Sequence, residues 1–248
     1  MARKLVLTVA VAALIATAGC AGVLGDGGGD TTPENFDYPD GLSESNIAAE
    51  DLLDHHESAL DGADSATVEF NMEVSSENSS VETISVSKME GDERLITLTG
   101  DALGTESFTQ HVYFDGETTW RNQTVDGDST VEQLDESPGF PESGAAYRLA
   151  NVLRAGNYSA TAAESDNGTP TVTYTADSFD NRTAIAHLGI PDPVTALSAT
   201  VTVTADGLVT SAALTVEREA DQRSDTWTYE YDVRGINETT VETPDWAA

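Results

Sequence analysis

In ATVEFNMEVS, residues 66–75, apolar side chains take every second place: Val68, Phe70, Met72 and Val74. Glu69, Asn71 and Glu73 fill the places between. Side chains of an extended chain point to alternate faces, so a period of two builds a strand with one buried and one wetted face. The pattern returns in FTQHVYF and TTWRNQT, and more loosely in VETISVSKM and RLITLTG. Asp115-Gly116 and Gly91-Asp92 supply turns that join such strands as hairpins. Residues 126–144, with Pro138 and Pro141, read as loop.

Five further strands are expected towards the C-terminus. Tyr158, Ala160 and Ala162 alternate in one, and Val172, Tyr174 and Ala176 in the next. Leu197, Ala199, Val201 and Val203 alternate with Ser and Thr; LVTSAALTVERE follows Asp206-Gly207, and Trp227, Tyr229, Tyr231 and Val233 mark the last. The helical period appears twice. A helix over about Ser45–Leu60 has Ser43 or Ser45 as cap, a stripe of Ile47, Leu52, Leu53, His56 and Leu60, and Gly62 as stop. AAYRLANVLRAG is a second, shorter helix, and AIAHLGIPDPVTAL a partly apolar insertion with room for a third or a lid. Strict alternation implies antiparallel pairing. The expected fold is α+β: a large curved antiparallel sheet, a half-open barrel, with two or three short helices on its concave side.

Before this domain the composition changes. Arg3 and Lys4 precede LVLTVAVAALIATAG, an uncharged stretch ending in small residues, and then the chain's single cysteine, Cys20. A basic start, an apolar core and a small-residue end form the anatomy of a secretory signal. TAGC resembles the lipobox of lipoproteins, which implies cleavage before Cys20 and a lipid on its thiol. The other reading is an uncleaved helix across the membrane, for which 5–25 has the length. In both, Arg3 and Lys4 stay inside and the remainder is exported. No RR pair supports a twin-arginine route. Residues 21–40 are rich in Gly, Asp and Pro without periodicity, the composition of a flexible spacer. The expected organisation is a signal peptide at 1–19, a lipidated tether at 20–42 and one domain at 43–248.

Charge narrows the setting further. The chain has 44 acidic against 11 basic residues, a net −33, and only Lys4 and Lys88 are lysines. Such a surface repels itself in dilute buffer; in molar salt the Debye length shrinks to about 3 Å and the repulsion is screened. The balance resembles that of proteins from extreme halophiles. It excludes nucleic acid as a natural partner. Acids come singly or in pairs rather than in blocks, which argues against an acidic tail. No calcium-loop pattern occurs.

The order of lipobox, spacer, helix, hairpin run, second helix and a close at YEYDV…INETTVETPDW looks like that of haloarchaeal surface lipoproteins. In outline it is similar to the LolA/LppX-like lipoprotein carriers, which implies a half-open barrel lidded by helices. That resemblance transfers no functional residue; the lipobox transfers Cys20.

No constellation points to catalysis. His55 and His56 are adjacent, so a helix splays them apart; they read as exposed polar residues rather than metal ligands. His111 and His187 stand alone, and no G-x-S-x-G occurs. The chain reads as a non-enzyme without cofactor or metal. Trp227, Tyr229 and Tyr231 line either a ligand groove or the core. Six N-x-[ST] sequons, at Asn78, Asn122, Asn157, Asn167, Asn181 and Asn237, exceed the roughly two that chance would give and are candidate N-glycosylation sites, with Asn78 and Asn167 in hairpin turns.

Two functions follow as expectations. One is a lipoprotein on the extracellular side of the cell membrane that binds a hydrophobic or lipid ligand in its half-barrel. The other is an envelope lipoprotein with a filled core that docks a protein partner. Both need the membrane lipid on Cys20. The Cys20→Ser chain should leave the membrane fraction and lack the lipid mass on its N-terminal peptide; an unchanged distribution and mass would contradict the anchor.

Overall fold

The structure is a computed structural model and describes residues 32–77, 79–102, 106–135, 145–166, 169–179, 181–220 and 223–247. Its body is an antiparallel sheet of eleven strands. The first six are β3 (Ser65–Ser76), β4 (Ser79–Glu90), β5 (Glu93–Ala102), β6 (Glu106–Phe114), β7 (Thr119–Val125) and β8 (Asp128–Leu134), after a short ribbon of β1 (Leu42–Ser43) and β2 (Asn46–Ile47). The other five are β9 (Ser159–Asp166), β10 (Thr169–Ala176), β11 (Val194–Thr204), β12 (Val209–Ala220) and β13 (Arg223–Arg234). Their order is β8-β7-β6-β5-β4-β3-β13-β12-β11-β10-β9. The chain makes two meanders that meet where β13 pairs with β3, and β8 and β9 remain as free edges, so the curved sheet is a half-open barrel.

Register sorts the two faces. Phe70 lies opposite Tyr231 on one side and Ser85 on the other, and Tyr229 opposite Met72 and Leu214. Directly opposed residues share a face, so the alternation legible in each strand becomes one apolar surface. Val172, Tyr174, Val201, Val203, Leu214 and Val216 on it are buried. Helices α1 (Ala49–Asp61), α2 (Ala145–Ala155) and α3 (Arg182–His187) cover this concave side. Leu52 and Leu60 of α1, Leu149, Val152 and Leu153 of α2, and Ile185 of α3 complete the buried cluster.

Three expectations are corrected. Helix α1 begins at Ala49, because Ser43 and Ser45 belong to the β1–β2 ribbon; its N-cap Ala48 offers no side-chain acceptor. The Ala48 N–H instead donates to the Gly41 carbonyl (2.7 Å), and Gly41 takes φ +83°, a conformation that favours glycine. Within the span read as loop, β8 forms as an edge strand. It has no buried face, hence no apolar alternation to read, and Asp126-Gly127, both at positive φ, make its two-residue hairpin to β7. Finally, part of the span read as tether is folded: Phe36 and Leu42 are buried in the main core and Tyr38 packs against it. Residues 5–25 lie outside the described residues, among which no helix is long and apolar enough to cross a membrane.

Four tyrosines tie the covering layer to the sheet through their hydroxyls. Tyr231 meets His56 Nε2 of α1 (2.7 Å), and Tyr229 donates to the Leu188 carbonyl just past α3 (2.6 Å). Tyr174 donates to the Ser43 carbonyl (3.0 Å), and Tyr158, next to β9, to the Val152 carbonyl of α2 (2.7 Å). The expectation that His56 is an exposed polar residue is thus overturned: it is 1% exposed, as its place in the apolar stripe required. Its Nδ1 accepts from the Val209 N–H (3.2 Å), so the neutral ring bears its proton on Nε2 and donates to Tyr231.

Burial lowers the His56 pKa to about 4. The unfolded chain binds that proton near pH 6.5 and the folded chain does not, so the stabilisation is whole above that pH and is lost as pH falls towards 4. The loss is on the order of 3 kcal/mol. Denaturation in molar salt between pH 7 and 4.5 should show stability falling more steeply for wild type than for His56→Gln; parallel curves would contradict this assignment.

Candidate functional site

The concave face changes character across the sheet. From β10 to β3 it is largely covered and buried, with Met72, Val74 and Trp227 half-buried. From β4 to β8 the same face continues through Ser85, Ile96, Leu98, Phe108, Gln110, Val112 and Gln123, which register places side by side. Here Ile96, Leu98 and Phe108 are half-buried, Val112 is just buried, and Val125, nearest the edge, is exposed. This second half is a wing whose apolar floor is set off from the core by Thr83, Ser85 and Ser87 of β4. Arg121 of β7 pairs with Glu132 of β8 at its rim. At the boundary between the halves, Arg148 of α2 lies over the Phe70 ring (5.1 Å to its centroid) and directs a guanidinium N–H at Met72 sulfur (3.5 Å).

The aromatic row of β13 sits on the covered side of that boundary. Tyr229 and Tyr231 are buried posts, not groove walls, and burial pushes the Tyr229 phenol up to about 12, with Arg148 opposing it. Tyr231 is likewise raised by burial. Trp227, opposite Val74 and Val216, is half-buried, and its Nε1–H has no hydrogen-bond partner among the described residues. Of the three it alone retains surface that a ligand on the concave side can touch.

The other face of the wing has its own cover. Residues after β13 return across it: the Asn237 N–H donates to the Ser65 carbonyl (2.8 Å), and its Oδ1 accepts from the Asp64 N–H (2.8 Å). Thr239 bonds Thr67 (2.9 Å), the Val241 N–H reaches Glu90 Oε2 (2.8 Å), and Thr243 meets the buried Tyr113 hydroxyl (3.1 Å). Between this C-terminal strap and β4–β6 lies a cavity of about 550 Å³, floored by Lys88, Leu95, Thr97 and His111. Neither the alternation nor any motif announced it, because its far wall is a distant strap, whose Thr243 lies 130 residues from Tyr113 in sequence.

The candidate modification sites are dispersed. Asn157 is exposed between α2 and β9. Asn181 caps α3, its Oδ1 accepting from the Ala184 N–H (3.1 Å). Asn237 is exposed at φ +60°, and Asn122 is half-buried in mid-strand between His111 and Val131. Asn78, Asn167 and Cys20 lie outside the described residues. His187 rests 6.2 Å from the Tyr147 ring, His111 shares a hydrogen bond with Thr97 (3.0 Å), and His55 packs beside Gly207. Among the described residues, no three His, Cys, Asp or Glu side chains gather as a metal site.

Residues 5–248 match a protein family described as "Family of unknown function (DUF7537)". The chain belongs to that family. No curated protein sequence matches it. Among solved structures it is similar to LprF from Mycobacterium bovis, at 13% identity and TM-score 0.40 over 83% of this chain and 100% of that one. It is similar to lipoprotein LppX from Mycobacterium tuberculosis at 13% identity and TM-score 0.38, over 79% and 98% of the two chains. A LolA superfamily protein from Nitrosomonas europaea aligns at 11% identity and TM-score 0.26, over 79% and 95%.

Because the Tyr229 hydroxyl is the described hydrogen-bond donor to the buried Leu188 carbonyl, Tyr229→Phe should destabilise this DUF7537 member by about 1–3 kcal/mol. Equilibrium denaturation in molar salt measures it. A change within error would mean that the bond does not hold the α3 segment to the sheet.

Proposed function

We propose that this protein is a lipid-anchored binding protein on the extracellular side of the cell membrane, holding a hydrophobic chain such as an acyl or isoprenoid group against the wing of its half-barrel. The observation that supports this is the half-buried apolar floor of Ile96, Leu98 and Phe108 on the concave face, outside the helix-covered core. Apolar surface in a concavity gains by leaving water, and Gln110 within the floor, with Gln123 and Arg121 of β7 towards the edge, suits the end of such a molecule that stays wet. The lipobox at Cys20 would keep the concavity close to the bilayer, where such molecules are found. Molar salt, which the surface charge fits, strengthens the driving force further.

A second reading has its own support. The helix-covered half is closely filled by buried side chains, as suits an envelope protein that docks another protein and carries no small ligand.

A fluorescent fatty acid titrated into the full chain in molar salt separates the two. The first reading expects saturable binding, at least tenfold weaker in Leu98→Asp and unchanged in Thr99→Asp, whose side chain lies on the opposite face. Absence of binding, or equal binding by both variants, would contradict it; native mass spectra free of any apolar adduct would favour the second.

A further inference from the structure

We propose that the cavity beneath the C-terminal strap is a binding site for a neutral sugar ring. It is independent of the apolar wing, since Leu95, Thr97 and His111 point from the face of the sheet opposite to Ile96, Leu98 and Val112. The wall is built rather than incidental. The strap is held at Ser65, Thr67, Glu90 and Tyr113, and ends in a 3-10 turn over Asp245–Ala247 that sets the half-buried Trp246 ring 6.3 Å from His111, at 35°.

The chemistry of that wall selects the ligand. Trp246, with Leu95 and Pro244, supplies an apolar platform, and around it stand the hydroxyls of Thr97, Thr240 and Thr243. Glu242 and Asp245 add acceptors and Lys88 adds a donor. A pyranose presents these features in reverse, with a patch of C–H bonds on its face and hydroxyls around its edge. The electrostatics disfavour an anion, which meets a chain of net −33 and two carboxylates against one ammonium. A cation gains from the carboxylates but leaves the Lys88 donor and the apolar platform without a counterpart. A purely apolar ligand would make no use of the hydroxyls, the carboxylates and the ammonium that line the site. A volume of about 550 Å³ suits a mono- or disaccharide.

The test uses the full chain in molar salt and a panel of glucose, galactose, mannose, N-acetylglucosamine, maltose and cellobiose. Saturation-transfer NMR reports contact, and titration calorimetry the affinity. At least one sugar should bind in the millimolar range or tighter. Trp246→Ala should weaken it at least tenfold, Trp246→Phe, which keeps an aromatic plate and the strap, less than threefold, and Leu98→Asp not at all. No transfer from any member of the panel, equal binding by Trp246→Ala, or tighter binding of glucose 6-phosphate or glucosamine would overturn the proposal.

Discussion

An open antiparallel sheet of eleven strands has two broad faces and cannot hide either by closing on itself. Whatever is apolar on them must be covered by other parts of the same chain or by something else. Here three helices and the β1–β2 ribbon cover the concave side over β10–β3, and the C-terminal strap crosses the outer side of the wing. The concave side of the wing stays half-exposed. The apolar floor and the strap cavity both follow from this incomplete covering.

The joint between cover and sheet is polar at its decisive points. Four buried tyrosines stand on the sheet, or beside it in the case of Tyr158, and each hydroxyl bonds a different segment of the cover, Tyr231 accepting and the other three donating. Apolar packing alone is non-directional and would permit several placements of short helices. A buried hydroxyl left without its partner costs more than the bond is worth when made, so these four contacts select one placement. His56 is the most specific of them, because its two ring nitrogens bind the sheet at separate strands, at Val209 and Tyr231.

Most of the sheet was legible because burial on one face forces alternation on the sequence; β3 and β11–β13 are where it is strictest and where the concave side is driest. β8 was illegible for the same reason inverted: an edge strand with nothing buried has no pattern to show. The start of α1 was misplaced because Ser43 and Ser45, plausible as caps, are equally good in the tight ribbon that precedes it. His56 was readable two ways, as a polar neighbour of His55 or as a member of the stripe, and only its partners 153 and 175 residues away decide between them. The same distance in sequence hid the strap cavity, whose residues are common types at unremarkable spacings until Trp246 is laid across the outer face of β6.

One sheet thus carries a covered, rigid half and a partly uncovered wing. Native-state hydrogen exchange in molar salt distinguishes the two, strand by strand. Amides of β3, β11, β12 and β13 should exchange only through global unfolding, and those of β6 and β7 through local opening at least a hundredfold faster, since fewer buried apolar contacts oppose it. Uniform protection from β7 to β10 would contradict it, for the wing would then be as well covered as the core.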